Sequence, residues 1–402
     1  MLDQPHGKQT NDPRAVERPE PGAPNGRVFG SDRVAETIRA LEIPYVALNP
    51  GASFRGLHDS LVNHLGNRAP QMLLCLHEEH AVAIAHGWAK VTERPIAAAL
   101  HSNVGLMHGT MAIFNAWCDR VPMLLIGATG PVDAAKRRPW IDWIHTARDQ
   151  GALIRNFSKW DDQPASPDAA VEALLRAHLI ATTAPFGPTY VNLDAAMQEA
   201  ETEAAPVPDV RRYRAPNPPA PCPETLAAAA AALRGAKRPA ILMGRVSRDT
   251  DDWAARIRLA ERLGAAVLTE LKPAAAFPTG HRLLAAHASM FPNPVAAEAL
   301  KQADVVLSLD WVDLAGTLGA AGAKPPIVIQ AALDQLVHNG WSMDYQALPA
   351  VDHYLLCTPE AAVTELLQAL GEGCNEPWLP PLPPASVPEP HPSGRLGVAH
   401  LA

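Results

Sequence analysis

Two adjacent carboxylates, Glu78 and Glu79, stand in the run LLCLHEEHAVAIAHGWAK (residues 73 to 90), where an apolar stretch ends and a helix-like pattern begins. Either is a candidate acid or base, but an acidic side chain at a helix start is most often an exposed charge favoured by the helix dipole. Composition alone does not separate the two. The flanking histidines, His77 and His80, are three apart, whereas the zinc motif HExxH places two histidines four apart on one helical face, so a metalloprotease is not expected. Further polar clusters follow other apolar runs: NPGAS (Asn49 to Ser53), HSNVG (His101 to Gly105) and GATG (Gly127 to Gly130). Each has a bland reading. His101 reads equally as a core histidine bonded to a carbonyl, and Gly51, Gly105 and Gly127 as strand-to-helix turn glycines.

The elements that must position these residues are short. PYVALNP, QMLLCLH, PIAAALHS, VPMLLIGAT and PTYVNLD are bounded by Pro, Gly, Asn or Asp and read as buried strands. Between them, helical spacing joins Val34, Ile38 and Leu41; Leu57, Leu61 and Leu65; Ala81, Ile84, Ala85 and Trp88; and Met111, Phe114 and Trp117. A second block repeats the plan, with RPAILMG, GAAVLTE, ADVVLSLD, PPIVIQA and HYLLCT as strands between alanine-rich helices. Alternating strands and helices predict an α/β fold of two doubly wound parallel-sheet domains, because parallel strands need crossover connections. In such sheets ligands bind outside the carboxyl ends of the strands, where the polar clusters fall.

Composition narrows the field. With 48% hydrophobic and 19% charged residues the chain is an ordinary globular one. A net charge of -8 leaves no basic face for nucleic acid. No apolar run reaches the roughly 18 to 20 residues that cross a bilayer, and the N-terminus has no signal-peptide core, so a cytoplasmic location is expected. Five scattered cysteines without a CxxC suggest free thiols. No P-loop, GxSxG or GxGxxG occurs, which removes support for nucleotide hydrolysis, serine esterase chemistry and a standard dinucleotide fold. Proline, 40 of 402 residues, is about twice its ordinary frequency. It concentrates in the first 24 residues, from Pro206 to Pro223 and from Pro377 to Pro392. The expected plan is a disordered tail at 1–26, a domain at 27–200, a linker at 201–223, a domain at 224–372 and a linker at 373–402.

Taken together, NPGASFRGLHDSL, LHEEHAVAIAHGWAKVTERPIAAALHSNVGLMHGTMAIFNAWCDRVPMLLIGA and APFGPTYVNLD resemble the thiamine diphosphate-dependent enzymes, in particular the benzoylformate decarboxylase and acetolactate synthase branch. RPAILMGRVS, LAERLGAAVLTE and AAFPTGHRLL extend the resemblance into that family's central domain. Glu78 stands nine residues before Gly87 of GWA, where the family has Gly-Tyr-Ala, and Glu79 is one residue late. The resemblance therefore implies that Glu78 hydrogen-bonds the cofactor's aminopyrimidine and promotes the imino form that generates the thiazolium C2 carbanion. It also implies that Asn49, Pro50, Gly51, Glu78 and Gly105 contact thiamine diphosphate, that His101 transfers protons to and from a 2-oxo acid adduct, and that Ser53 and Ser102 are substrate candidates.

Departures from the family pattern shape the rest of the expectation. Ala52 intervenes between Pro-Gly and Ser53, and the region ADVVLSLDWVDLAGTLGAAG has no histidine where benzoylformate decarboxylase uses one, so benzoylformate is doubtful as substrate. No Gly-Asp-Gly occurs, the motif that with a downstream Asn holds Mg²⁺ and the diphosphate in the family. The expectation is thus the pyrimidine-binding and central domains of a 2-oxo acid decarboxylase or carboligase, truncated or served by a separate diphosphate-binding subunit. No metal site is expected in this chain, FAD or ADP is not expected, and a homo-oligomer is. The alternative is a noncatalytic relative that binds a partner or small ligand.

Overall fold

Strand positions follow the apolar runs closely. The computed structural model describes residues 26–273, 275–336 and 347–383. The tail expected at 1–26 lies, but for Gly26, outside the described residues, as does the expected linker beyond 383. Two units are distinguished. The first runs to Pro219 and takes in the segment beginning at Leu333, and the second runs from Ala220 to Ala332 and resumes at Ala347.

In chain order the first unit contains β1 (Val28–Phe29), β2 (Tyr45–Leu48), β3 (Gln71–Leu74), β4 (Ala97–Leu100), β5 (Met123–Thr129), β6 (Trp160–Asp162), β7 (Pro188–Asp194) and β8 (Glu201–Thr202). Six of them form one parallel sheet in the order β3-β2-β4-β5-β7-β6. All seven residues of β5 and of β7 are buried, as expected of strands covered on both faces. The strands not read from sequence are β1, β6 and β8, which are two or three residues long and carry too little pattern to register. β1 and β8 pair antiparallel beside the main sheet.

The flanking helices are α1 (Gly30–Ala40), α2 (Arg55–Asp59), α3 (Glu78–Thr92), α4 (Ser102–Cys118), α5 (Ile141–Ile144), α6 (Pro167–Thr182) and α7 (Ala195–Glu199). Val34 and Ile38 of α1 and Leu57 and Leu61 are buried, as their spacing predicts. On α3 and α4 the predicted faces are buried in part: Ala81, Ala85 and Trp117 are buried, and Trp88 and Phe114 are half-buried. The two helices pack on each other, and Val82, Gly105 and Gly109 line their contact with Leu100 and Glu78. Ile84 and Met111 are left exposed, together with Val91 and Met107. Small residues let the two helices approach closely, and Ile84 and Met111, which periodicity weights heavily, are left outside that contact.

The second unit has β9 (Pro239–Met243), β10 (Ala266–Thr269), β11 (Val305–Leu309), β12 (Ile327–Ala331) and β13 (His353–Leu355) in one parallel sheet ordered β10-β9-β11-β12-β13. Its helices are α8 (Pro223–Gly235), α9 (Thr250–Leu263), α10 (Pro294–Gln302), α11 (Leu314–Ala321) and α12 (Pro359–Leu370). Part of the high proline content has a local explanation: α6, α8, α10 and α12 each carry proline in the first turn, where its missing amide donor costs nothing. Ser166, Asn293 and Thr358 cap three of them with side-chain oxygens. Between the two sheets in sequence, 201–223 contains β8 and a turn of 3₁₀ helix at Val210–Tyr213. Among the described residues no helix is long and apolar enough to cross a membrane.

In the first sheet the chain steps from β2 to β3 on one side, then crosses to β4 on the other. That reversal makes the carboxyl ends of β2 and β4 a switch point, where doubly wound sheets usually open a crevice for ligands.

Candidate active site

The segments leaving β2 and β4 meet at this crevice. After β2 the chain runs through half-buried Asn49 and exposed Pro50 to Gly51, then turns through Ala52–Phe54. After β4 comes His101, and α4 begins at Ser102. A methyl group on Gly51 would overlap the His101 ring, so the glycine permits the two segments to touch. Buried Ser53 then reaches the imidazole, with its Oγ 2.9 Å from His101 Nδ1. Gln198 holds that turn from behind, its Nε2 donating to the Ser53 carbonyl at 3.0 Å.

A second imidazole completes this side of the crevice. The rings of His101 and His145 have centroids 4.8 Å apart. His145 Nδ1 lies 2.9 Å from the Ile141 carbonyl. A carbonyl only accepts, so this nitrogen is the donor and a neutral His145 keeps its lone pair on Nε2. Ser102, fully buried at φ 55°, donates its hydroxyl to the His145 carbonyl and ties the two histidine-bearing segments together. A positive φ is uncommon for serine and is held here by the surrounding packing. Burial is the main influence that holds the His101 pKa below the ordinary histidine value. Nearby His145 and Arg138 push the same way, and Glu78 opposes them. His101 is therefore a neutral imidazole at neutral pH.

Glu78 approaches from β3. It opens α3 and is only 4% exposed, whereas Glu79 beside it is exposed. Burial thus separates the two carboxylates that composition left equivalent. A Cβ on Gly105 would lie 3.1 Å from Glu78 Cγ and Oε1, so α4 packs on this carboxylate through the hydrogen of a glycine. On the other side, Glu78 Oε2 is 3.5 Å from Nδ1 of exposed His108. His77 caps α3 by accepting the Glu79 amide on Nδ1 at 3.1 Å. Its ring stacks on His108, with centroids 5.1 Å apart and planes 12° apart.

The structure thus brings Gly51 and Ser53 against His101, ties Ser102 to the His145 segment, and sets Glu78 with Gly105 on the same edge of the sheet. His108, His145 and Gln198 carried no sequence signal. His145 lies 44 residues from His101 in an irregular segment, and His108 on a helix face that the apolar periodicity left out. In the second unit the corresponding switch point, between β9 and β11, is spanned by the chain's own charges. There Arg245 donates to Asp310 through Nε at 2.9 Å and through its terminal nitrogen at 2.8 Å.

Residues 29–153 match the description "Thiamine pyrophosphate enzyme, N-terminal TPP binding domain", and residues 226–334 match "Thiamine pyrophosphate enzyme, central domain". Curated relatives include the "Probable 2-ketoarginine decarboxylase AruI" of Pseudomonas aeruginosa, 27% identical over 259 residues, or 64% of this chain and 43% of that protein. The acetolactate synthase large subunit of Lactococcus lactis is 24% identical over 345 residues, or 84% of this chain and 57% of that protein. Among solved structures, benzoylformate decarboxylase from Polynucleobacter necessarius superposes with a TM-score of 0.71 at 19% identity, covering 91% of this chain and 66% of that one. At that identity the likeness establishes the fold. The chain spans about half the length of the two curated relatives.

Proposed function

Because the chain belongs to the thiamine pyrophosphate enzyme family, with that family's N-terminal and central domains, we propose that it forms the pyrimidine-binding and central part of a 2-oxo acid decarboxylase or carboligase. The observation that carries this reading is the burial of Glu78 against Gly105, on the same sheet edge as the His101 and Ser53 pair, while Glu79 faces solvent.

The residues present fit the pyrimidine half of the cofactor. A carboxylate shielded from water offers a strong acceptor for a proton on a weakly basic ring nitrogen, and Gly105 keeps side-chain bulk away from it. Glu78, Asn49, Pro50, Gly51 and Gly105 would hold that half. When bound, thiamine diphosphate supplies the electron sink for cleavage of the bond beside a 2-oxo group. Glu78 holds and moves the proton at the pyrimidine nitrogen. Neutral His101, oriented by Ser53, accepts a proton from the substrate side or returns it. His145, fixed by the Ile141 carbonyl with Nε2 as its basic atom, is the next group in that exchange and takes the place of the histidine missing from the central domain.

A doubly charged phosphate chain needs a divalent cation with oxygen ligands, and without a Gly-Asp-Gly motif those ligands and Mg²⁺ are proposed to come from a domain outside these 402 residues. Ile84, Val91, Met107 and Met111, apolar yet exposed on α3 and α4, support pairing with a second copy. The test is release of carbon dioxide from 2-oxo acids by the chain joined with a diphosphate-binding domain. Glu78→Gln should lower turnover by roughly 10²-fold or more, and Glu79→Gln should leave it within about twofold. Wild-type turnover in Glu78→Gln would overturn the role given to Glu78, and no release of carbon dioxide by the joined wild-type chain would favour a noncatalytic protein.

A further inference from the structure

We propose that His77, Glu78 and His108 form a binding site for a transition-metal dication of the zinc type. One ring nitrogen of each histidine and one carboxylate oxygen of Glu78 lie within 4.8 Å of one another. Zinc binds imidazole nitrogen and carboxylate oxygen at about 2.0–2.2 Å, so in a tetrahedral site neighbouring ligand atoms stand roughly 3.4 Å apart. The edge from His108 Nδ1 to Glu78 Oε2, at 3.5 Å, already has that length. The widest edge must shorten by at most about 1.4 Å.

The movement falls on the residue best able to make it. Glu78 is pinned by Gly105, and His77 keeps its place at the start of α3 but must release the Glu79 amide, which now takes the ring's one lone pair, to bind the ion. His108 stands 55% exposed at the surface of α4, and a modest rotation about its side-chain bonds brings its nitrogen inward without disturbing the core. Its ring now stacks on that of His77, with planes 12° apart, and the same rotation must turn the two planes to meet at the ion, because an imidazole binds a metal in its ring plane. The donor set selects the ion. Two imidazoles and one carboxylate suit a borderline cation such as Zn²⁺, whereas Mg²⁺ demands oxygen ligands in octahedral array. Three protein ligands leave a fourth position open to water, so the ion is exchangeable rather than structural. This site is distinct from the HExxH arrangement excluded by the His77 to His80 spacing, since its second histidine comes from α4.

The consequence for catalysis rests on the role proposed above for Glu78. An ion held on that carboxylate removes the acceptor needed by the pyrimidine nitrogen, so zinc and the cofactor would exclude each other.

The experiment is a calorimetric titration of the full 402-residue chain with Zn²⁺ alone, with no cofactor present, repeated on His108→Ala and Glu78→Gln. Circular dichroism verifies that both variants keep the fold, which the exposure of His108 favours. The five free thiols supply background binding, and the comparison between variants cancels it. One tight site per chain is expected. Each variant should weaken it by more than about tenfold, since even outer-shell partners of a metal are worth roughly 10–100-fold in affinity. Cobalt(II) should report the same loss through its tetrahedral visible bands. Unchanged affinity in His108→Ala, or in Glu78→Gln, overturns the site. Because the cofactor is absent, that result would leave the role of Glu78 in turnover standing, and failure of that role would leave this measurement unaltered.

Discussion

Replacing Gly51 by alanine tests the contact on which the crevice depends. Gly51 sits at φ -155° and ψ 145°, a conformation open to any residue, so the backbone adds no strain and the effect is steric. The added Cβ would fall inside the 3.0 Å limit that real Cβ atoms essentially never cross, and it would do so against Cβ, Cγ and Nδ1 of His101. Rotation of the side chain moves Cγ and Nδ1 but leaves Cβ in place, so it cannot clear the overlap. Either the turn after β2 or the start of α4 must shift. Overpacking of this kind costs about 1–3 kcal/mol, and loss of the 2.9 Å Ser53 to His101 hydrogen bond adds about 1 kcal/mol. A total of about 2–4 kcal/mol is a large fraction of an ordinary stability. Amide hydrogen exchange on β4 and the first turn of α4 reads the first unit without interference from the second. Protection of its slowest amides should fall by about 30- to 1,000-fold, at 1.36 kcal/mol per tenfold. Protection within about threefold of wild type would refute the claim that Gly51 and His101 touch.

Other outcomes follow from the charges. His101 should titrate by NMR below the ordinary histidine value of 6.5, because burial and the His145 and Arg138 charges disfavour its protonated form. In His145→Gln its midpoint should rise, and a midpoint at or above 6.5 in the wild type would contradict the burial argument. Since the unfolded chain binds this proton more tightly, stability should fall as pH drops from 6.5 through the folded midpoint. Asp119 behaves oppositely. Burial pushes its pKa up, but hydrogen bonds from His86 at 2.9 Å and Lys90 at 2.7 Å outweigh burial and hold it well below the ordinary carboxylate value. Its contribution should be present above pH 3.8 and vanish as pH falls below that value. Asp119→Asn should cost about 1–3 kcal/mol in urea unfolding at pH 7 and flatten the acid limb, and an unchanged acid limb would assign that limb to other groups.

Much of the architecture was legible in the residues. Ten of the strands coincide with short apolar runs closed by Pro, Gly, Asn or Asp, because a strand covered on both faces of a parallel sheet must be apolar throughout and cannot continue past a turn residue. The parallel, doubly wound plan followed from their alternation with helices. β1, β6 and β8 were not legible, since two or three residues hold no periodicity. On α3 and α4, Ala81, Ala85 and Trp117 are buried as their spacing predicts, but Ile84 and Met111 are not. Periodicity weights Ile84 and Met111, whereas the helices meet through glycine and alanine, whose value lies in what they lack.

At the site the division is sharper. The sequence by itself placed Asn49 to Ser53, Glu78 and His101 to Gly105 at strand ends, and family register separated Glu78 from Glu79. Strand ends are local facts, written in where each apolar run stops. Only the tertiary structure decided that Glu78 is buried while Glu79 is not, that Ser53 reaches His101 across Gly51, and that His145 and His108 join them. Those are meetings of segments far apart in sequence. They are set by the order in which the strands assemble and by glycines that let backbones approach, and no local pattern records either.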